Sequence, residues 1–292
     1  MEFSKEADLA LESYTRDEKN EIKNGIKTTT LFFDSHEVIR TEILNELGKE
    51  QTGKEIGTYL TLVTGDAYKY SEEEHESLSF VLSSCLSFLI STLKPTPRKF
   101  LVVGLGNNEI VADSLGARVI SQLVPSAHLK EENKELFNSF GYDLTLLEAG
   151  VTGQSGFDAL THIKAILSVV DVEAVILIDS LLTFDNQRLL KTIQTSNTGI
   201  LPGSGGGKYT YEISKSTLSL PIISIGVPSA IKEKNLSKDT IYTTINSEIS
   251  IEVLSKIIAK GINNVVKQYF SNIDNLSNIE LNKNQGGENG QR

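Results

Sequence analysis

Four short runs in the second part of the chain, KFLVVGLG (99–106), DLTLLEAG (143–150), EAVILID (173–179) and LPIISIGVPS (220–229), are dominated by apolar residues without alternation and are bounded by Gly or Asp. A strand with one face in water alternates polar and apolar side chains, so runs of this kind point to strands buried on both faces, as in a parallel sheet covered by helices on either side. Helical patterns separate them: FDALTHIKAILSVV (157–170), the stretches after Asp113 and after Thr183, and a last amphipathic helix over roughly 247–269. The expected class is therefore α/β, with a mostly parallel sheet between two helical layers. Upstream, TTTLFF (28–33) and GTYLTLV (from Gly57) read as extended segments with turn and helix signals between them. Ser71 followed by Glu72, Glu73 and Glu74 reads as a capped helix start, because carboxylates favour the positive end of the helix dipole. No linker divides the chain, so residues 9–270 are expected to form one domain, and the tail 271–292 has little to bury and reads as disordered.

Composition excludes several classes of function. The chain has 292 residues with 28 Lys+Arg against 38 Asp+Glu, a formal charge of −10, which speaks against a nucleic-acid binder held by general positive charge. Hydrophobic residues at 39% and charged residues at 23% are those of a globular protein. A charged N-terminus without an apolar centre points to the cytoplasm, and no membrane segment is expected. The longest uncharged stretch, 77–93, is shorter than the ~20 residues a span needs, and Ser79, Ser83, Ser87 and Ser91 form a small-residue stripe suited to close packing. A single Cys rules out a disulfide framework, and Cys85, in an apolar helical pattern, reads as an inert core thiol. His36, His75, His128 and His162 have no ligand spacing, so neither metal nor other cofactor is expected.

In an open parallel sheet the site lies beyond the carboxyl ends of the strands. GLGNNEIVADSLG, after the first apolar run, carries Asp113, and the third run ends on Asp179. GLGNNE fails as a dinucleotide fingerprint because Glu109 stands where the third Gly belongs, and GSGGGKY fails as a phosphate loop because Tyr209 replaces the Ser/Thr. Asp113 has an ordinary structural reading as a helix cap. Asp179 ends an apolar run, where a carboxylate is costly unless partnered. Two such carboxylates at neighbouring strand ends can share one proton, one activating water while the other protonates the substrate. The glycines of the Gly-rich loop, Gly203, Gly205 and Gly207, are candidates for contacting substrate, with a plain surface connection as the alternative.

Five separated motifs, VVGLGNNEIVADSLGARVI, EAGVTGQSGFDA, VILIDSL, TIQTSNTGILPGSGGG and PIISIGVPS, together with GTYLTL and ADLALES, resemble the germination proteases of endospore-forming bacteria over most of residues 6–270. The resemblance implies a three-layer α/β/α fold like those of phosphorylases and hydrogenase-maturation proteases. It implies an aspartate-dependent endopeptidase that initiates degradation of small acid-soluble spore proteins in the spore core during germination, tetrameric, and made as a zymogen. The family's two working Asp fall on Asp113 and Asp179. Its cleavage pattern, acid before apolar before Ala, matches Asp8, Leu9 and Ala10, so residues 1–8 are a candidate propeptide removed by self-cleavage between Asp8 and Leu9. The chain departs from the family at Leu182, Thr183 and Phe184, where Ala-Ala-Arg is usual, and at Asn197, Leu201 and Lys208, where Asp, His and Asn are usual. Two other functions fit: a metal-directed protease like those that mature hydrogenases, and a catalytically idle binder of spore proteins.

Overall fold

The structure, a computed structural model, describes residues 9–10, 24–140, 143–202, 211–233 and 240–285. In chain order the elements are β1 (Ile26–Phe33), β2 (His36–Ile43), α1 (Glu46–Thr52), β3 (Gly57–Val63), α2 (Glu72–Thr92), β4 (Lys99–Leu105), α3 (Leu115–Ile120), α4 (Leu129–Glu132), α5 (Lys134–Phe140), β5 (Asp143–Gly150), α6 (Thr152–Ser155), α7 (Ala159–Leu167), β6 (Ala174–Thr183), β7 (Thr192–Ser196), α8 (Lys215–Leu218), β8 (Ile222–Glu233), β9 (Thr240–Tyr242) and α9 (Ser247–Gln285). The strands form one sheet in the order β1-β2-β3-β7-β8-β6-β4-β5, with β9 added alongside β8.

The four apolar runs are β4, β5, β6 and β8, and they pair in parallel as β5-β4-β6-β8. The period-2 geometry of a strand explains why they carry no alternation. Phe100, Val102, Ile176, Ile178, Ile223 and Ile225 point into one core with α2, α3 and α9, whereas Leu101, Val103, Leu105, Val175, Leu177 and Ile222 point into another with α7 and α8. Three layers result, as expected. The sheet is mixed rather than mostly parallel, since β1, β2, β3 and β7 extend it by antiparallel pairing.

Several expectations need correction. The stretch after Thr183 contains no helix; β6 itself runs on to Thr183, paired with β8 as far as Thr183 with Ile231, and a turn then leads into β7. β7 is buried along its whole length, yet its sequence is TIQTS, whose polar side chains conceal a central strand. β2, HEVIRTEI, was not expected as a strand. The terminal helix, expected to end near Tyr269, runs to Gln285; helix propagation adds one backbone hydrogen bond per residue.

Other local readings match the structure. Ser71 caps α2 in a complete capping box with Glu74. Ser79 and Ser83 are buried, and their hydroxyls donate back to the carbonyls of His75 and Phe80 within the helix. Among the described residues no helix is long and apolar enough to cross a membrane.

Near the strand ends α3 approaches β4 closely, backbone against backbone. A Cβ on Gly104 would lie 2.4 Å from the carbonyl oxygen of Gly116, and a Cβ on Gly116 would lie 2.3 Å from that of Leu105. Both neighbours are backbone, which cannot rotate away. Gly104→Val is therefore expected to lower the unfolding free energy by about 2–3 kcal/mol, as overpacking of a dense core does, measured as a shifted urea midpoint with an unchanged slope.

Candidate functional site

β4 leads through α3 to β5 on one side, and the chain then crosses back to β6 on the other, so strand order reverses between β4 and β6. Ligands bind at such switch points because the loops leave the strand ends in opposite directions and open a crevice. A cleft of about 250 Å³ lies here, lined by residues that include Gly106, Asp113, Gly150, Thr152, Asp158, Asp179, Pro202 and Tyr211. Asp113 and Asp179, expected separately from the sequence, are both in its wall.

Asp179 is not the end of its strand. The β4–β6 ladder ends at Gly104 with Ile178, one residue earlier, while β6 continues beside β8. The carboxylate thus stands where β4 withdraws, 7% exposed, with Oδ1 accepting from the Ser180 N–H at 2.9 Å. Its side chain shares a face with Val175 and Leu177, the face of α7 and α8.

Asp113 is brought to the same place by the turn after β4. The chain leaves the strand through Gly106 at φ +95°, where a Cβ would lie 2.2 Å from the Asp113 carbonyl oxygen and 2.7 Å from Oδ1. The Asn107 N–H donates to Asp113 Oδ2 at 2.9 Å. The cap position of α3 falls on Ser114, one residue later. Asp113 is thereby positioned by its own loop, not by the helix start. The turn is fastened on two sides. The Ser229 hydroxyl from β8 donates to the Ala112 carbonyl, and the Asn107 side-chain oxygen accepts from Gln154 Nε2 at 2.9 Å, linking the loops after β4 and β5.

The sequence did not single out Asp158. It caps α7, accepting from the Thr161 N–H and hydroxyl at 2.9 Å each. Partial burial works to raise its pKa, but the hydrogen bonds from Thr161 and neighbouring backbone outweigh this and hold the carboxyl below its ordinary value. The cleft therefore carries this ionised carboxylate at neutral pH besides the other two acidic side chains. A signal was present in the sequence, an Asp in the second motif directly before the helical pattern of α7, but a cap alone does not distinguish a site residue.

Other sequence-based candidates fare differently. Gly203, Gly205, Gly207 and Asp8 lie outside the described residues, as does Lys208. Pro202 and Tyr211, the described residues on either side of the Gly-rich segment, both line the cleft. Leu9 is described and is fully buried. Among the departures from the family pattern, Asn197 accepts from the Thr58 N–H at 2.9 Å and donates to Thr92, a pair of roles that an ionised Asp could not combine. His162 sits outside the cleft lining, its Nδ1 bonded to the Ala149 carbonyl at 2.8 Å. Among the described residues no three His, Cys, Asp or Glu side chains gather as a metal-binding group.

Fold and cleft together define an α/β protein with carboxylates gathered at its switch point. Comparison with known proteins narrows this: the germination protease family profile matches residues 4–247. A germination protease of Clostridium acetobutylicum is 34% identical over 223 residues, covering 76% of this chain and 68% of that protein. One from Caldanaerobacter subterraneus is 32% identical over 261 residues, covering 89% and 80%. A nickel–iron hydrogenase maturation protease from Thermococcus kodakarensis overlaps 61% of this chain and 97% of its own at 16% identity and TM-score 0.33, a likeness too distant to carry a functional argument. The chain belongs to the germination protease family, a family of peptidases.

Cys85 takes no part in the cleft. It lies in the core on the other face of the sheet, and burial pushes its thiol pKa up to about 12. A thiol reagent at pH 8 is expected to leave it unmodified in the folded protein and to label it on unfolding in urea, read by mass spectrometry.

Proposed function

We propose that this chain is an endopeptidase of small acid-soluble spore proteins in which Asp113 and Asp179 act together as general acid and base on a water molecule. The observation that carries the proposal is the convergence of both residues on one cleft at the switch point, Asp179 buried and Asp113 held by a loop that only glycine at position 106 permits. Family membership supports the peptidase chemistry.

Two crowded carboxylates hold one proton more readily than none, because removing the second places like charges close together. The ionised member takes a proton from water as the oxygen attacks the scissile carbonyl carbon. The protonated member gives its proton to the carbonyl oxygen, forming a gem-diol; the proton taken from water then passes to the amide nitrogen while the gem-diol returns a proton to the other carboxylate, so that the amine leaves and the pair again holds one proton. The Asn107 N–H fixes one oxygen of Asp113 and so sets the orientation of its carboxylate. The Gly-rich segment with Gly203, Gly205 and Gly207 would contact the peptide from the rim marked by Pro202 and Tyr211. On the same reading the protein works in the spore core as a tetramer and trims its own N-terminus between Asp8 and Leu9.

Asp113→Asn and Asp179→Asn are each expected to reduce cleavage of a spore-protein peptide by about 10²–10⁴-fold, since Asn cannot exchange the proton, with unfolding midpoints equal to or above wild type because a crowded charge is removed. Equal turnover in wild type and both variants would overturn the pair. Loss on chelation would favour a metal-directed protease, and binding without cleavage in every form would favour an idle binder.

Self-processing is tested by intact mass. Wild-type protein held at mildly acidic pH is expected to acquire a new N-terminus at Leu9, and Asp179→Asn is expected to keep Met1. An unprocessed preparation that still cuts the peptide at full rate would show that no activation step exists.

A further inference from the structure

The register of the sheet places Asp179 opposite Gly226, and Gly226 opposite Gln194, so these three residues form one row across β6, β8 and β7. Directly opposed residues project from the same face, so the Gln194 amide and the Asp179 carboxylate stand on one side of the sheet about two strand spacings, roughly 10 Å, apart. Gly226 contributes no side chain between them. Leu181 fills that place, with its Cδ1 only 2.5 Å from where a Cβ on residue 226 would sit. The row therefore runs from a carboxylate, over an apolar floor, to a buried amide 9% exposed.

That amide already holds a peptide. The Ala10 N–H donates to Gln194 Oε1 at 2.8 Å, Ala10 packs on Ile43 and Tyr59, and Leu9 has no exposed surface. The contact joins residues 184 positions apart, so it is not a product of local chain geometry. In an extended chain the peptide carbon preceding Leu9 lies roughly 5 Å from the Ala10 nitrogen, which is the scale needed to bridge from the amide back toward the carboxylate.

We infer that Gln194, with Ile43 and Tyr59, forms a substrate subsite outside the cleft lining, on the same sheet face as Asp179 and on the leaving side of the scissile bond. It accepts the backbone N–H of the second residue beyond the scissile bond and requires that residue to be small, and the chain's own Leu9–Ala10 occupies it as a tethered competitor. The inference rests on the endopeptidase reading for the position of the scissile bond, but its binding prediction does not need turnover. Gln194 is a positioning residue: it touches peptide backbone away from the bond that breaks. Tyr59 bounds the subsite because its hydroxyl is held by bonds to the Glu55 carbonyl and the Thr198 hydroxyl, so the ring is fixed against Ala10. A side chain larger than Ala would meet that ring.

The test uses the full chain with Ala10→Pro, which removes the tethered N–H donor and vacates the subsite. A fluorescent peptide copying residues 5–14 is titrated by anisotropy. It is expected to bind Ala10→Pro at least tenfold more tightly than wild type, because a tethered segment competes at millimolar effective concentration. Adding Gln194→Ala should weaken that binding about tenfold, the scale of one buried hydrogen bond, whereas Gln194→Glu, which keeps an acceptor oxygen, should restore most of it. The same peptide N-methylated at its Ala should lose about tenfold against Ala10→Pro and nothing further against Ala10→Pro with Gln194→Ala. Equal N-methyl losses in both backgrounds, or unchanged affinity on Gln194→Ala, would overturn the subsite and leave Gln194 as a fastening for the N-terminus. If the binding pattern holds while no variant cuts any peptide, the endopeptidase reading fails and Gln194 stands as a peptide-binding residue without a scissile bond beside it.

Discussion

The approach of α3 to β4 is the contact on which the site depends. Backbone can come this close only where both partners lack a Cβ, and Gly104 and Gly116 meet that condition from opposite sides. Because the helix is drawn so near, the chain between them has little room and must turn sharply at Gly106 and again through Val111–Asp113. Asp113 is carried into the cleft by this compression, and its carboxylate is bound by the same loop. On the neighbouring strand β4 has withdrawn, so Asp179 finds space where Val175 and Leu177 have only packing. The turn after β4 thus places Asp113, and the end of the β4–β6 ladder places Asp179.

The two halves of the sheet solve different problems. In β5-β4-β6-β8 each face is sealed by its own apolar core, and the interior tolerates few polar groups. In the antiparallel half the face away from α2 and α9 is polar yet buried, presenting Thr28, Thr41, Thr61, Gln194 and Ser196. Buried hydroxyls and amides are costly unless they find partners. The backbone of Leu9–Ala10 supplies one, at Gln194.

What the sequence could reveal follows from which physical signals are local. The runs LVVGL and AVILI have no reading except burial on both faces, so β4, β6, their neighbours and the three layers were legible. Asp113 and Asp179 were legible for the same reason, as carboxylates at the margins of those runs. β7 was not, because TIQTS has the composition of a loop and becomes a central strand only through the ladders that β3 and β8 offer it. The stretch after Thr183 misled in the opposite sense: its helical appearance was overridden by β6 continuing along β8. β2 could have been found, since IRTEI alternates as a half-exposed strand does, but turn signals around it drew attention away.

Gln194 shows the limit most clearly. Within TIQTS nothing sets it apart from its neighbours, and no spacing ties it to Asp179, which precedes it on another strand. The connection is made by register alone: β6 and β8 run parallel, β8 and β7 antiparallel, and Gly226 happens to face both. A shift of one residue in the β7–β8 ladder would turn the amide to the opposite core and leave the Ala10 N–H without its acceptor, and one in the β6–β8 ladder would turn Asp179 away from that face. The register is itself held by apolar burial on the other face, where Ile193, Ile225 and Ile178 pack in the core beneath α2 and α9. The apolar core on one side of the sheet therefore fixes how polar groups are arranged on the other. Gln194, inside the motif TIQTSNTGILPGSGGG but not set apart within it, acquires its place in the row with Asp179 in that way.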